Sequence, residues 1–360
     1  MTARAVGTMP IRFTQKGPRC SVRSVAKAFP ETLLDFQRLF SDEKACAAYL
    51  EDLRWPDGFA CPACGEKGEP YRIRTRSTLL ECRSCRHQAS LTAGTVMHGT
   101  HTPLQVWFWA AYLVTSQTPG MSAIQFQRQL GIGRYETAFQ ILHKLRAAMV
   151  RPDRDRIGGK YAVEVDEANV GGRTRGEGRG VHHMDVVVGA VEVRVGAPAT
   201  LRERRQRQRK KGRPVRGETF AGRLRLRHVS NRGGRTLTSF VVDSVEPGTL
   251  VVTDGWQGYD GLKTLGYDHE AAVIGGDQEI TEAALPMIHL VFSNLKAWLL
   301  GTHHGVSPRH RQAYLNEFVF RFNRRFYPMG MFNSVLGIAA RTLGPTYEGL
   351  YEGKWRHRNP

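Results

Sequence analysis

The chain has 360 residues, 41 % of them hydrophobic, enough for about two domains with real cores. Its 52 Lys and Arg against 33 Asp and Glu give a formal net charge of +19, a surplus that repels itself unless a polyanion such as nucleic acid neutralises it. No apolar run approaches the ~20 residues needed to span a bilayer, and "MTARAVGTMPIRFTQKGPRC" has no apolar signal region, so a cytoplasmic protein without a membrane partner is expected.

Residues 1–40 read as a loose N-terminal arm, since at least the first thirty lack periodicity. A second unit is expected over 41–95. "SDEKACAAYLEDLRWP" opens it as a short helix, with Ser41 as N-cap, acids in the first turn and Pro56 beyond the end. Cys61-Pro-Ala-Cys64 and Cys82-Arg-Ser-Cys85 follow, two C-x2-C pairs separated by 17 residues. Two such knuckles present four thiolates tetrahedrally to one Zn(II), and the spacer suits a hairpin. Four thiolates leave no open position, so this zinc is structural. Cys20 and Cys46 fall outside the pattern, and Cys46 reads as a buried helix residue.

Residues 96–155 read as helical. "LQVWFWAAYLV" supplies an apolar segment, and Gly120 separates it from "MSAIQFQRQLGIGRYETAFQILHKLRAAM". There one helix runs from Ser122 to Leu130, Gly131-Ile-Gly133 makes a turn, and a second helix starts at Arg134. Ala138, Ile141, Leu142 and Leu145 form its buried face, leaving Arg134, Gln140, His143, Lys144 and Arg146 on other faces. The arrangement fits a helix-turn-helix-like DNA-binding segment with Arg134 and Lys144 as contacts; a plain helical hairpin has the same pattern.

From "KYAVEVDEANVGG" onward the pattern turns to short β-rich runs followed by helices, an α/β domain over 156–330. The basic block within 198–218 reads as an insertion, Arg321, Arg324 and Arg325 as a basic helix end that grips DNA, and 331–360 as a C-terminal tail.

"YAVEVDE" alternates as a strand that ends with Asp166, followed by glycines, and "TLVVTDGWQGY" ends an apolar run at Asp254. Either aspartate alone is ordinary turn chemistry. Together, at the ends of neighbouring strands, they are how a nuclease holds divalent ions against a phosphodiester. Glu164 shares the strand face of Asp166 and is a secondary candidate or a satisfied polar group, whereas Glu167 points elsewhere.

The Cys module, "VEVDEANVGG", "VVTDGWQGYDGL" and "SNLKAWLLGTHHGVSPRHRQAYLNEFVFRFNRR" together resemble the zinc-ribbon insertion-sequence transposases of the family numbered 1595, within the DDE, RNase H-like superfamily. The likeness spans roughly residues 40–328. It implies an RNase H-like catalytic domain preceded by a zinc ribbon and a DNA-binding segment, with Mg(II) or Mn(II) at an acidic triad. Asp166 and Asp254 match the first two acids. The third position, seven residues before Lys296 and 35 after Asp254, is occupied by His289. Glu282 precedes Pro286, which reads as the start of the helix. His289 and Lys296 share a helix face, while Asn294, a reserve ligand, is rotated by about 140° from His289. Imidazole is a softer, neutral ligand, better suited to Mn(II) than to Mg(II). Lys296 is placed to contact DNA phosphate.

The resemblance implies a DNA transposase that binds terminal inverted repeats, cleaves there, and transfers strands into target DNA, working in the nucleoid as a homodimer or larger assembly. The alternatives are a catalytically inactive, transposase-derived DNA-binding protein and, with no RNA-stacking aromatic motif in its favour, a metal-dependent RNA-cutting enzyme.

Overall fold

A computed structural model describes residues 30–171, 185–196, 219–272, 284–328, 330–352 and 355. The basic block at 198–218, Cys20 and Glu282 lie outside them. Among the described residues no helix is long and apolar enough to cross a membrane.

The N-terminal unit begins with α1 (Leu33–Leu39), inside the stretch expected to be a loose arm. Thr32 and Asp35 form a reciprocal capping box, and Phe36 and Phe40 bury their rings against Trp109, Phe108 and Phe332. Aromatic burial therefore orders this segment, whose partners Phe108, Trp109 and Phe332 are distant in sequence. Helix α2 (Glu43–Arg54) follows; Asp42, one residue later than expected, accepts the Ala45 N–H at 2.8 Å. Strands β1 (Tyr71–Arg72), β2 (Leu79–Glu81) and β3 (Gln88–Ser90) form a small antiparallel sheet.

Helices α3 (Leu104–Ser116), α4 (Ala123–Gln129) and α5 (Tyr135–Ala147) complete the unit. Ser122 caps α4, and the turn to α5 passes through Gly131 at φ +62°. The apolar face of α5 is buried as the pattern predicts, but His143 and Arg146 are buried with it. Arg146 Nε reaches Glu317 Oε2 at 2.8 Å, a partner that becomes visible only in three dimensions.

The second unit is a five-stranded sheet in the order β6-β5-β4-β7-β8, built from β4 (Ala162–Val170), β5 (Asp185–Val195), β6 (Thr219–Val229), β7 (Leu250–Thr253) and β8 (Asp268–Ala271). Strands β4, β5 and β6 run antiparallel; β7 is parallel to β4 and β8 to β7. Alternation along β4 divides two cores. Val163 and Val165 face α6 (Gly234–Ser244) and the short helix 257–265, whereas Ala168 and Val170 face α7 (Pro286–Trp298) and α8 (Arg311–Arg324).

The C-terminal segment is not a detached tail. Helix α9 (Gly330–Ala339) buries Met331, Phe332, Val335 and Leu336 in the same core as α2, α3 and the small sheet. The chain thus returns from the α/β domain to close the N-terminal unit, because this apolar face has its complement there.

Candidate active site and zinc centre

The two cysteine knuckles have matching local geometry. Gly65 donates to the Cys61 carbonyl at 2.9 Å and Arg86 to the Cys82 carbonyl at 3.1 Å, with the donor residue at positive φ in each, +77° and +61°. The turns bring the four Sγ atoms within 4.8 Å of one another, with Cys61–Cys85 and Cys64–Cys82 both at 3.7 Å. A tetrahedral zinc with ~2.3 Å bonds requires sulfurs about 3.8 Å apart, so the donor set and its spacing fit structural Zn. The thiols share protons: the backbone N–H groups of Cys64 and Ala63 bring Cys61 down to about 6, whereas Cys64, against the backbone hydrogen bond from Glu66, is pushed up to about 12 by its contacts with Cys85, Cys61 and Cys82. Cys61, Cys82, Leu80 and Leu91 belong to the N-terminal core, so the ribbon is part of that core.

In the α/β unit, β4 and β7 pair with an offset of 88 residues, Val163 against Val251 and Glu164 against Val252. Asp166 and Asp254 each stand two residues beyond the last of these pairs, Glu164–Val252. Asp254 follows β7 directly, and its Oδ1 accepts the Trp256 N–H at 3.0 Å, which holds the carboxylate at the strand end. His289, in the first turn of α7, places Nε2 3.2 Å from Asp166 Oδ2. The structure therefore brings His289 to the first aspartate.

Glu164 explains how α7 reaches this position. Its buried Oε2 accepts the N–H groups of Met287 and Ile288, each at 2.8 Å, and so caps α7 from the neighbouring strand. Pro286 occupies the first turn, as predicted. Burial raises the Glu164 carboxyl above its ordinary value despite those two hydrogen bonds. On the opposite strand face, Glu167 accepts from the Tyr259 hydroxyl at 2.7 Å and lies 3.7 Å from Arg232. Burial raises Glu167 as well, against the Tyr259 hydrogen bond, and repulsion from Asp166 and Asp254 adds to the rise. Burial, then Glu167, holds the Tyr259 hydroxyl well above the usual tyrosine range, so it remains a donor. Tyr259 stands in "VVTDGWQGYDGL" without an assigned role and Arg232 in no motif; only the fold shows their connection to β4.

Lys296 is exposed and lines a cavity of about 290 Å³ with Asn169, Val170 and Arg311, at the C-terminal end of β4. Asn294 is exposed on a different side and lines a groove with Thr118, Trp298, Phe318 and Arg321. The two expected ligand candidates on α7, His289 and Asn294, thus have separate surroundings, His289 against Asp166 and Asn294 in the groove beside Trp298.

The expected DNA contacts divide in a similar way. Arg134 is exposed, while Lys144 is half-buried and donates to the His98 carbonyl at 3.3 Å. Arg321 differs from its expected role as a DNA grip: its guanidinium donates to the carbonyls of Val114, Gln117 and Thr118 and so closes the end of α3. Gly120, at φ +73°, leaves space for it; an added Cβ would sit 2.9 Å from Arg321 Nη1. Arg325 also turns inward, donating to the Phe322 and Ala221 carbonyls. Arg324 stacks on Phe320 at 4.0 Å and lines a cavity considered below. Carbonyls left open at helix and strand ends attract these side chains, a demand that the run "FRFNRR" does not display.

Residues 157–323 match the ISXO2-like transposase domain, and residues 41–88 match the transposase zinc-ribbon domain. The chain carries both domains of the insertion-sequence transposase family numbered 1595. The transposase-domain match contains Asp166, Asp254, His289 and Lys296; the ribbon match contains all four zinc-site cysteines. An uncharacterized protein in transposable element ISH50 of Halobacterium salinarum is 24 % identical over 305 residues, covering 79 % of this chain and 92 % of the relative. No solved structure matches the chain.

Proposed function

We propose that this protein is a metal-dependent DNA transposase that binds the terminal inverted repeats of an insertion sequence, cleaves there, and joins the freed ends to target DNA. The observation that carries the reading is the 3.2 Å approach of His289 to Asp166, on a strand whose parallel neighbour β7 ends just before Asp254. The mixed sheet, with helices on both faces and aspartates on its central strands, supports an RNase H-like catalytic domain.

Asp166, Asp254 and His289 are the residues that would hold Mg(II) or Mn(II). Adjacent ligands of an octahedral ion with ~2.1 Å bonds stand about 3.0 Å apart, which the His289–Asp166 spacing of 3.2 Å fits. An imidazole beside two carboxylates favours Mn(II). When bound, such an ion supplies Lewis-acid activation and charge neutralisation at the scissile phosphate. Glu164 keeps His289 in register by capping α7. Lys296, two turns further along, neutralises a phosphate near that end of β4. Arg134 and Lys144 on the turn and helix α5 contact DNA, though on a narrower face than the sequence implies, since His143 and Arg146 are buried. The +19 charge supplies non-specific affinity that falls steeply with salt. Dimeric or larger assembly on paired element ends, in the nucleoid, follows from the family resemblance.

The test is incubation of the zinc-loaded chain with Mn(II) and DNA carrying its own element ends. Nicking at the ends is the expected result. Sequence-specific binding without nicking would overturn the catalytic reading and leave a DNA-binding protein derived from a transposase.

A further inference from the structure

Residues 149–155, which lead from α5 to the sheet, lie alongside β6, the strand at one edge. Between this linker, β6 and α8 is a cavity of about 320 Å³. Five guanidinium groups line it, from Arg151, Arg154, Arg223, Arg225 and Arg324, against the single carboxylate of Asp155. Strand β6 is two strands from β4, about 10 Å at ordinary strand spacing, so this is a separate place from the aspartates.

The acids nearby do not balance this charge. Asp155 is already paired with Arg223, and Glu192 is taken by Arg194, Arg223 and the Gly158 N–H. Arg225 is 7 % exposed; two of its nitrogens donate to the Leu224 and Asp155 carbonyls, but its buried Nε has no hydrogen-bond partner among the described residues. The buried Arg154 Nη1 has none either. Burial, with repulsion from neighbouring arginines, pulls Arg154, Arg225 and Arg324 each down to about 10. Uncompensated guanidinium groups in a partly closed cavity are costly, and a multi-oxygen anion offsets that cost by accepting from several planar forks at once.

We infer that this arginine cavity is a phosphate site, which holds a phosphate group presented by a DNA backbone or by a free phosphate anion. The inference does not require an active transposase.

The experiment uses the full zinc-loaded chain without added Mg(II) or Mn(II), as wild type, Arg154→Gln and Arg225→Gln. Inorganic phosphate is titrated at constant ionic strength, with thermal melting as the readout. Binding to a random-sequence duplex is then measured across a salt series. A saturable rise in wild-type melting temperature with phosphate, lost in the variants, supports the site. If DNA is the source, the slope of log K against log salt also becomes shallower by about 0.9 in each variant. An unchanged slope with the phosphate response lost identifies a free anion. No phosphate response in wild type and no change in slope would overturn the inference. Arg154 is partly exposed, so Arg154→Gln and the wild-type titration decide the matter if Arg225→Gln does not fold. Random-sequence DNA without Mg(II) or Mn(II) separates this outcome from any failure of cleavage or end recognition.

Discussion

The Glu164 carboxylate on β4 accepts the backbone N–H of Ile288 at 2.8 Å, and so ties the start of α7 to the strand that carries Asp166. The next residue, His289, is the one that meets Asp166. Glu164→Ala should therefore cost about 1–2 kcal/mol, the scale of a lost N-cap, and reduce Mn(II)-dependent cleavage at temperatures where the variant is fully folded. Glu164→Gln keeps one acceptor oxygen and should recover most of the stability. Urea midpoints and cleavage rates for the pair check this; unchanged cleavage in folded Glu164→Ala would separate the cap from the site.

Glu167 makes a pH prediction. Its folded-state carboxyl is raised by burial and by nearby Asp166 and Asp254, so the folded chain binds its proton more tightly than the unfolded chain does. The stability from this group is complete below the ordinary glutamate value of about 4.3 and is lost as pH rises through the raised folded value. Glu167→Gln removes that loss. In metal-free melts the variant should gain on wild type as pH increases over this range, and a constant difference would contradict the assignment.

Zinc removal should reach beyond the ribbon. Cys61, Cys82 and Leu80 share one core with α2, α3 and α9, so chelation should melt helices that hold no ligand. The expected result is a loss of several kcal/mol and a clear drop in helical circular dichroism, reversed by Zn(II). Loss confined to the small sheet would show that the ribbon folds independently.

The Arg146–Glu317 pair joins α5 to α8, with side chains 2 % and 1 % exposed. Glu317→Leu leaves Arg146 buried without its carboxylate and should cost about 3–5 kcal/mol. The double replacement Arg146→Met, Glu317→Leu should recover much of that in urea denaturation, since the fully buried guanidinium is then gone and Arg321, 3.6 Å from Glu317, keeps the carbonyls of Val114, Gln117 and Thr118.

Local spacing made some of these features legible. The C-x2-C pairs identify the zinc ligands because turn geometry is local, and Asp254 stands out because an apolar run ends in it; Asp166, expected at a strand end, lies midway along β4, because pairing with β5 carries the strand on to Val170. His289 is reached only through the family resemblance, whose pattern puts the third position seven residues before Lys296. What remained hidden depends on distant partners: Glu317 lies 171 residues from Arg146, and Val114 lies 207 residues from Arg321. A buried arginine and a solvated one have the same letter. The same holds for α9, read from sequence as part of a tail, because the core that covers its apolar face belongs to the N-terminal unit.

The most direct test of the proposed site compares Mn(II)-dependent cleavage of end-containing DNA by wild type, His289→Ala and Asn294→Ala. His289 lies 3.2 Å from Asp166, while Asn294 faces the groove beside Trp298, so His289→Ala should abolish nicking and Asn294→Ala should leave it nearly intact. Cleavage that survives His289→Ala but disappears in Asn294→Ala would contradict the account.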